Sequence, residues 1–181
     1  PWINVIANSK DFGFIVSESG SSYTWSVNSR DNRLSPWSND PVSDPSGEIF
    51  YIRDEESGEF WSPTPLPIRE PEAYTINHGQ GFSRFDHISH GIEQTLTLFV
   101  PLEDEVKISR LKLKNLSNKK RNLSLTQYVE WVLGFHRIQT ATHIVTELDP
   151  DTSTLYARNP YNNEFADRVA FADVSEVTRA F

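Results

Sequence analysis

Apolar and polar residues alternate along much of this chain with a period of two, the spacing of a strand with one buried face. The clearest case is 123–133. Leu123, Leu125, Gln127, Val129, Trp131 and Leu133 point one way; Ser124, Thr126, Tyr128, Glu130 and Val132 point the other. The pattern predicts a long antiparallel strand with a strongly apolar face. Residues 106–114 read similarly, except that the apolar parity shifts between Ile108 and Leu111, and a β-bulge at Ser109-Arg110 would restore one face. Residues 115–122, with the basic run Lys119-Lys120-Arg121, then read as a charged turn closing a hairpin between the two. Residues 91–100 form a further strand, with Ile92, Leu96, Leu98 and Val100 on one side. Pro101 ends it, having no N–H for the ladder.

Shorter strands are expected at 12–17, 23–27, 49–53, 59–62, 144–148, 154–158 and 168–172, and one begun near Tyr74 continues through Phe85. They are separated by turn signals such as Ser19-Gly20, Asp44-Pro45-Ser46-Gly47 and Glu55-Glu56-Ser57-Gly58. Two stretches lie outside this pattern. Residues 28–44 are a polar loop, and 63–71, with Pro63, Pro65, Pro67 and Pro71, read as an extended polyproline-like segment crossing a sheet. About ten closely spaced strands predict an all-β, antiparallel sandwich or barrel. No repeat or low-complexity tract interrupts it, so 1–181 reads as a single β-sandwich domain.

Composition narrows the classes. Asp and Glu outnumber Lys and Arg by 25 to 17, a net charge of −8, which argues against nucleic acid as a partner. No apolar run approaches the ~20 residues of a membrane span, so the chain is expected to be soluble with no membrane contact. The absence of Cys excludes disulfides and thiolate metal sites. The chain also has no Met, starts at Pro1, and ends on Val177-Thr178-Arg179-Ala180-Phe181 without a stop feature, so it is expected to be a piece of something longer.

Candidate chemistry concentrates in two places. The loop from Asn28 to Asp40 combines Arg30, Asn32, Arg33, Trp37 and Asp40. Planar polar groups that bond vicinal hydroxyls, beside an aromatic face for the C–H side of a sugar ring, are what carbohydrate recognition uses. Such residues also make ordinary solvated loops, with Asx turns and Arg–Asp pairs. The second place is Gly134-Phe135-His136-Arg137, where a strand runs out and a His–Arg pair follows. That pair suits a hydroxyl, carboxylate or phosphate, or is simply a strand-end turn. His87 and His90 suggest no metal, because residues three apart on a strand face opposite sides and no third ligand is evident. Carboxylates such as Glu130, Glu147, Asp149 and Asp151 are plentiful, but sequence alone does not place two of them across a glycosidic bond. No phosphate loop, nucleophile elbow or triad spacing is present.

Several runs carry a resemblance: PWINVIAN (1–8), GFIVSESGSSYTWSVNSRDNRLSPWSNDPVSDPSGE (13–48), WSPTPLPIR (61–69), HGIEQTLTLFVP (90–101) and YVEWVLG (128–134). They resemble the phosphorylase-like region of cyclic β-1,2-glucan synthases, which is similar to glycoside hydrolase family 94 and its cellobiose and β-1,2-oligoglucan phosphorylases. The resemblance implies a galactose mutarotase-like supersandwich, shorter here than the family's full domain. In the family a helical linker and an (α/α)6 barrel follow it, and the barrel carries the general-acid Asp. The resemblance therefore implies no catalytic residue here, no metal and no cofactor, with phosphate as co-substrate of the parent enzyme. Phosphate attacks the anomeric carbon while a carboxylic acid protonates the leaving oxygen. The implied partners are β-1,2-glucan or gluco-oligosaccharide, the downstream barrel, and a second copy in a homodimer. The segment after Trp131 resembles the one that reaches toward sugar in the family, which favours His136 and Arg137. The implied setting is the cytoplasmic side of the bacterial inner membrane, where a glycosyltransferase region builds the glucan and the phosphorylase-like region controls its length. Two competing readings are an autonomous carbohydrate-binding module, using Trp25, Trp37 and Trp61, and a purely structural interface scaffold.

Overall fold

The computed structural model describes residues 2–38, 40 and 42–175. The terminal run 177–181 lies outside them. Strands run in the order β1 (Ile3–Ala7), β2 (Phe12–Ser17), β3 (Ser22–Ser26), β4 (Glu48–Asp54), β5 (Phe60–Trp61), β6 (Tyr74–Gly79), β7 (Phe82–Ser89), β8 (Ile92–Phe99), β9 (Ile108–Asn115) and β10 (Leu123–Val129). One helical turn, α1 (Arg137–Thr140), separates these from β11 (Val145–Leu148), β12 (Leu155–Arg158) and β13 (Ala170–Ala172). All strand pairs are antiparallel, in sheets ordered β1-β2-β3, β10-β4-β5, β11-β12-β13 and β6-β7-β8-β9. The expected all-β antiparallel architecture is what forms.

The four-stranded sheet organises the packing. Along β7, Ser83, Phe85, His87 and Ser89 turn inward; along β8, Ile92, Gln94, Leu96 and Leu98 do. At one end Phe85, Leu96 and Leu98 pack on Ile6, Phe14 and Val16 of the β1-β2-β3 sheet. At the other, Ile92 meets Ile52 and Trp61 of the β10-β4-β5 sheet. Each large apolar side chain buried this way contributes about 1.5–3 kcal/mol. The central strand β2 is buried almost throughout and packs so closely that a Cβ on Gly13 would lie 2.6 Å from the Ile6 carbonyl oxygen. Leu133, Ala157 and Ala170 form a third cluster beneath the last sheet.

Five local expectations are overturned. The strands on either side of residues 115–122 do not pair: β9 lies beside β8 and β10 beside β4, so this connection crosses between sheets. Arg121 anchors the crossing by donating to Asp54 at 2.8 Å through Nε and to the His90 carbonyl at 2.6 Å. No bulge occurs at Ser109, because β8 and β9 pair without a break from Phe99–Ile108 to Ile92–Asn115. Ser109 simply occupies an inward position opposite Leu98, beside a cavity where a hydroxyl is tolerated. The strand expected from Tyr74 through Phe85 is instead a hairpin, turned at Gly81, which has φ +81°. The proline-rich stretch is folded rather than extended, since the Ser62 hydroxyl bonds both the Thr64 and the Ile68 carbonyls and draws it back on itself. Strand β10 also stops at Val129, earlier than alternation implies, and Leu125 on its apolar face is 45% exposed.

Candidate carbohydrate-binding site

The polar loop owes its shape to Asn28. Its Oδ1 accepts from the Arg30 and Asp31 amides, both at 2.9 Å, an Asx turn that tightens the loop just after β3. Arg33 then re-enters the sheet region as an isolated bridge, pairing with Trp25 on one side and Gly134 on the other. Arg33 and Gly134 exchange backbone hydrogen bonds at 3.2 and 3.1 Å, and Val132 N–H donates to the Leu34 carbonyl at 2.9 Å. The two segments singled out from the sequence, about a hundred residues apart, are thereby stitched edge to edge.

The Arg33 guanidinium sits at the junction. It donates to the Phe135 carbonyl at 3.1 Å and to the Ser29 carbonyl at 3.2 Å. Its carbon lies 5.1 Å from the Trp37 ring centre, 5.6 Å from Phe135 and 5.8 Å from Tyr23. Arg30 lies 5.2 Å over the other aromatic of the rim, Phe135. Trp37 and Phe135 are both nearly half exposed. Cations over aromatic faces contribute about 0.5–1 kcal/mol each at exposed sites and hold the rings in place. Burial pushes the Tyr23 hydroxyl up, only partly offset by Arg33. Behind Trp37 a second cavity of about 300 Å³ opens, bordered by Tyr23, Pro36 and Asp40.

The remaining selected residues hold different posts. Asn32 is buried beneath the loop and donates to the Ser26 carbonyl at 2.8 Å. Asp40 accepts from the Ser43 hydroxyl at 2.6 Å and from the Val42 and Ser43 amides, which hold its carboxyl below the ordinary range and close the next turn. His136 is the N-cap of α1, its Nδ1 accepting from Ile138 N–H at 3.4 Å. Arg137 pairs with Glu130 at 2.7 Å, and both are partly exposed. The sequence reasoning did not single out Phe135, Tyr23, Asn159 or Asn162. Both asparagine amides donate to the Leu133 carbonyl at 3.1 Å and pin the strand end, where Leu133 takes φ +45°. Asn before a turn is a local capping signal, but nothing local says which distant carbonyl it serves.

Another cavity, about 270 Å³, lies between the sheets on the inner side of β3. Glu48 and Lys107 form an ion pair on its wall. Glu48 also accepts from Thr24 Oγ1 at 2.7 Å and from Ser35, while Lys107 donates to Ser22 Oγ at 2.6 Å and lies 4.4 Å over the Phe14 ring. Burial pushes the Glu48 carboxyl up; the Lys107 charge and the hydrogen bonds outweigh it and hold the group below its ordinary value. On the four-stranded sheet, the Glu70 carboxylate lies 2.9 Å from His87 Nε2 through Oε2 and 2.5 Å from His90 Nε2 through Oε1. Strand parity was expected to send these imidazoles to opposite sides. It does so only within a strand; His90 lies in the β7–β8 turn with φ +51°, which brings its ring back.

The antiparallel sheets, packed on shared apolar clusters, define a β-sandwich domain. The chain matches the model of the glycosyl hydrolase 94 supersandwich domain over residues 1–181 and belongs to that family. It is 40% identical over 172 residues to a cyclic beta-(1,2)-glucan synthase of Rhizobium meliloti, covering 94% of this chain and 6% of that protein. It is 29% identical over 167 residues to an N,N'-diacetylchitobiose phosphorylase of Vibrio furnissii, covering 90% of this chain and 20% of that one. A solabiose phosphorylase of Paenibacillus borealis is 38% identical over 90 residues, 49% of this chain and 12% of its own. The chain thus spans a fifth or less of each of these relatives. Among the described residues no helix is long and apolar enough to cross a membrane.

Proposed function

We propose that this chain is the non-catalytic, carbohydrate-binding and supporting part of a β-1,2-glucan-processing enzyme. The observation that carries the reading is the bridge between Arg33 and Gly134, which assembles Arg30, Arg33, Trp37 and Phe135 into one exposed rim beside His136 and Arg137. Exposed Trp and Phe faces suit the C–H side of a glucose ring, and guanidinium N–H groups suit its hydroxyls. The likeness to a glucan synthase favours a β-1,2-linked glucan over the other β-glucosides. In the parent protein this rim would steer the chain end toward a downstream helical barrel, where phosphate serves as co-substrate and phosphorolysis sets chain length. The same reading places the parent's phosphorylase-like region on the cytoplasmic side of the membrane and admits a homodimer that closes the channel.

Calorimetric titration with linear β-1,2-gluco-oligosaccharides, against cello-oligosaccharides, tests it. Selective binding that Trp37→Ala and Arg33→Ala each weaken at least about tenfold is expected, in line with loss of an interfacial aromatic or arginine anchor. Equal response to both sugars, or binding indifferent to these substitutions, would overturn the assignment of the rim. A second reading, a scaffold that meets another protein surface, is favoured by the exposed Leu125, Tyr128, Leu148 and Phe171. Sugar-independent self-association in light scattering would support it.

A further inference from the structure

The pair of imidazoles around Glu70 poses a question of proton inventory. His87 has a fully buried side chain and stacks on Tyr74, its register partner on β6, at 3.7 Å and 6°. Its Nδ1 lies 3.2 Å from the Ala73 carbonyl oxygen. A carbonyl only accepts, so Nδ1 carries a proton, and in the neutral ring Nε2 is then a bare lone pair. That lone pair faces Glu70 Oε2 at 2.9 Å. A contact this close needs a positive charge in it, either a second proton that makes the ring an imidazolium or a metal ion held by both atoms.

The surroundings supply the rest of a coordination sphere. One ligand atom each from Glu70, Glu72 and His87 lie within 4.8 Å of one another. Among the described residues, the ion pairs of Glu70 are with imidazoles alone and Glu72 has none. From these observations we propose that Glu70, Glu72 and His87 form a binding site for a divalent transition cation of the zinc class, on the edge of the β6-β7-β8-β9 sheet. One imidazole nitrogen and two carboxylates match the donor set of such ions, and a chain without Cys offers no thiolate. The supporting groups are those a metal site uses. The Ala73 carbonyl fixes the His87 tautomer, and Tyr74 fixes its ring plane. His90, stacked on Trp61 at 4.3 Å, donates to the other Glu70 oxygen and orients that carboxylate. Glu72 is exposed, so the remaining coordination positions open to solvent.

The test is titration of the intact 181-residue chain with Zn²⁺ alone by calorimetry, and with Co²⁺ alone by visible absorption. The expected result is one ion per chain, with a cobalt d–d band of low-symmetry N/O coordination. Glu72→Gln, at an exposed position that leaves the fold intact, weakens the affinity at least about tenfold, as loss of a group in a metal site does. His87→Gln abolishes the band, and Glu59→Gln, which faces His90 but supplies no ligand, leaves it unchanged. Absence of saturable binding at about millimolar Zn²⁺ would overturn the proposal and assign the gap at Nε2 to a proton. Binding that survives Glu72→Gln and His87→Gln alike would overturn it too, by placing the ion elsewhere.

Discussion

Replacing Lys107 by Met removes an ammonium from the inter-sheet cavity while keeping most of its aliphatic stem over the Phe14 ring. The side chains of Lys107 and Glu48 are 10% and 15% exposed, so both charges are largely withdrawn from water. Breaking such a pair leaves one uncompensated charge and costs about 3–5 kcal/mol. The Thr24 and Ser35 hydroxyls still donate to Glu48, which places the expected loss for Lys107→Met toward the lower end, about 3 kcal/mol. Loss of the cation over Phe14 adds about 0.5–2 kcal/mol. For a chain of this length each kcal/mol corresponds to roughly 2–4 °C, so the melting temperature should fall by roughly 7–20 °C. The double variant Glu48→Gln/Lys107→Met should lose less than the sum of the two singles, since it leaves no orphaned charge. Denaturant unfolding of the four proteins measures this. The pH dependence gives an independent sign. In the parent chain the folded Glu48 carboxyl lies below its unfolded value, so its stabilising contribution is present above the unfolded value and lost as pH falls through the folded one. Without Lys107 burial dominates and raises the folded value, so Lys107→Met should gain stability on mild acidification. A loss below about 1 kcal/mol with no change of pH slope would refute the reasoning, because it would mean that the cavity is wet and the pair screened.

Other consequences follow from the same geometry. Gly13→Ala should cost about 1–3 kcal/mol in thermal denaturation, since the new methyl meets the Ile6 carbonyl and the Trp25 ring at 2.6 Å each. Asn159→Ala should cost about 1–3 kcal/mol by removing a buried donor from the Leu133 carbonyl, and should also weaken oligosaccharide binding, because that strand end carries the Arg33 bridge. Glu70 follows the acid-side logic of Glu48. Burial pushes its carboxyl up, but side-chain hydrogen bonds, those from Ser89 and His90 among them, and the His90 charge prevail, so its folded value is lowered and its contribution is lost on acidification through that value. Comparing Glu70→Gln with the parent across the acid limb of a pH–stability curve should show a shallower slope in the variant.

Where one face of a strand is apolar and the other wet, alternation alone locates the element. The segment 91–100 is the example: Ile92, Leu96 and Leu98 turn inward as read, and Gln94 joins them. Strand β3 shows the limit. Its five residues are all buried, although three are Ser or Thr, because its hydroxyl face lines the cavity around Glu48 and Lys107 rather than water. A polar residue looks the same in sequence whether its partner is water or a buried ion pair. Which strands pair is a second kind of blindness. The apolar faces of β9 and β10 are compatible with a hairpin, and only the Arg121–Asp54 anchor and the competing edges of β8 and β4 decide otherwise. The rim illustrates both sides. Arg30, Arg33 and Trp37 stand out by residue type, and so do His136 and Arg137. The meeting of Arg30, Arg33 and Trp37 around Phe135 depends on a two-residue bridge across a hundred positions and on Asn159 and Asn162, which donate to the Leu133 carbonyl. The histidines add the sharper lesson. Strand parity is a sound rule that ends where the strand ends, and a single positive φ at His90 suffices to bring two imidazoles onto one carboxylate. Chemistry at the turns of a sheet therefore has to be sought in backbone dihedrals, which residue spacing does not encode.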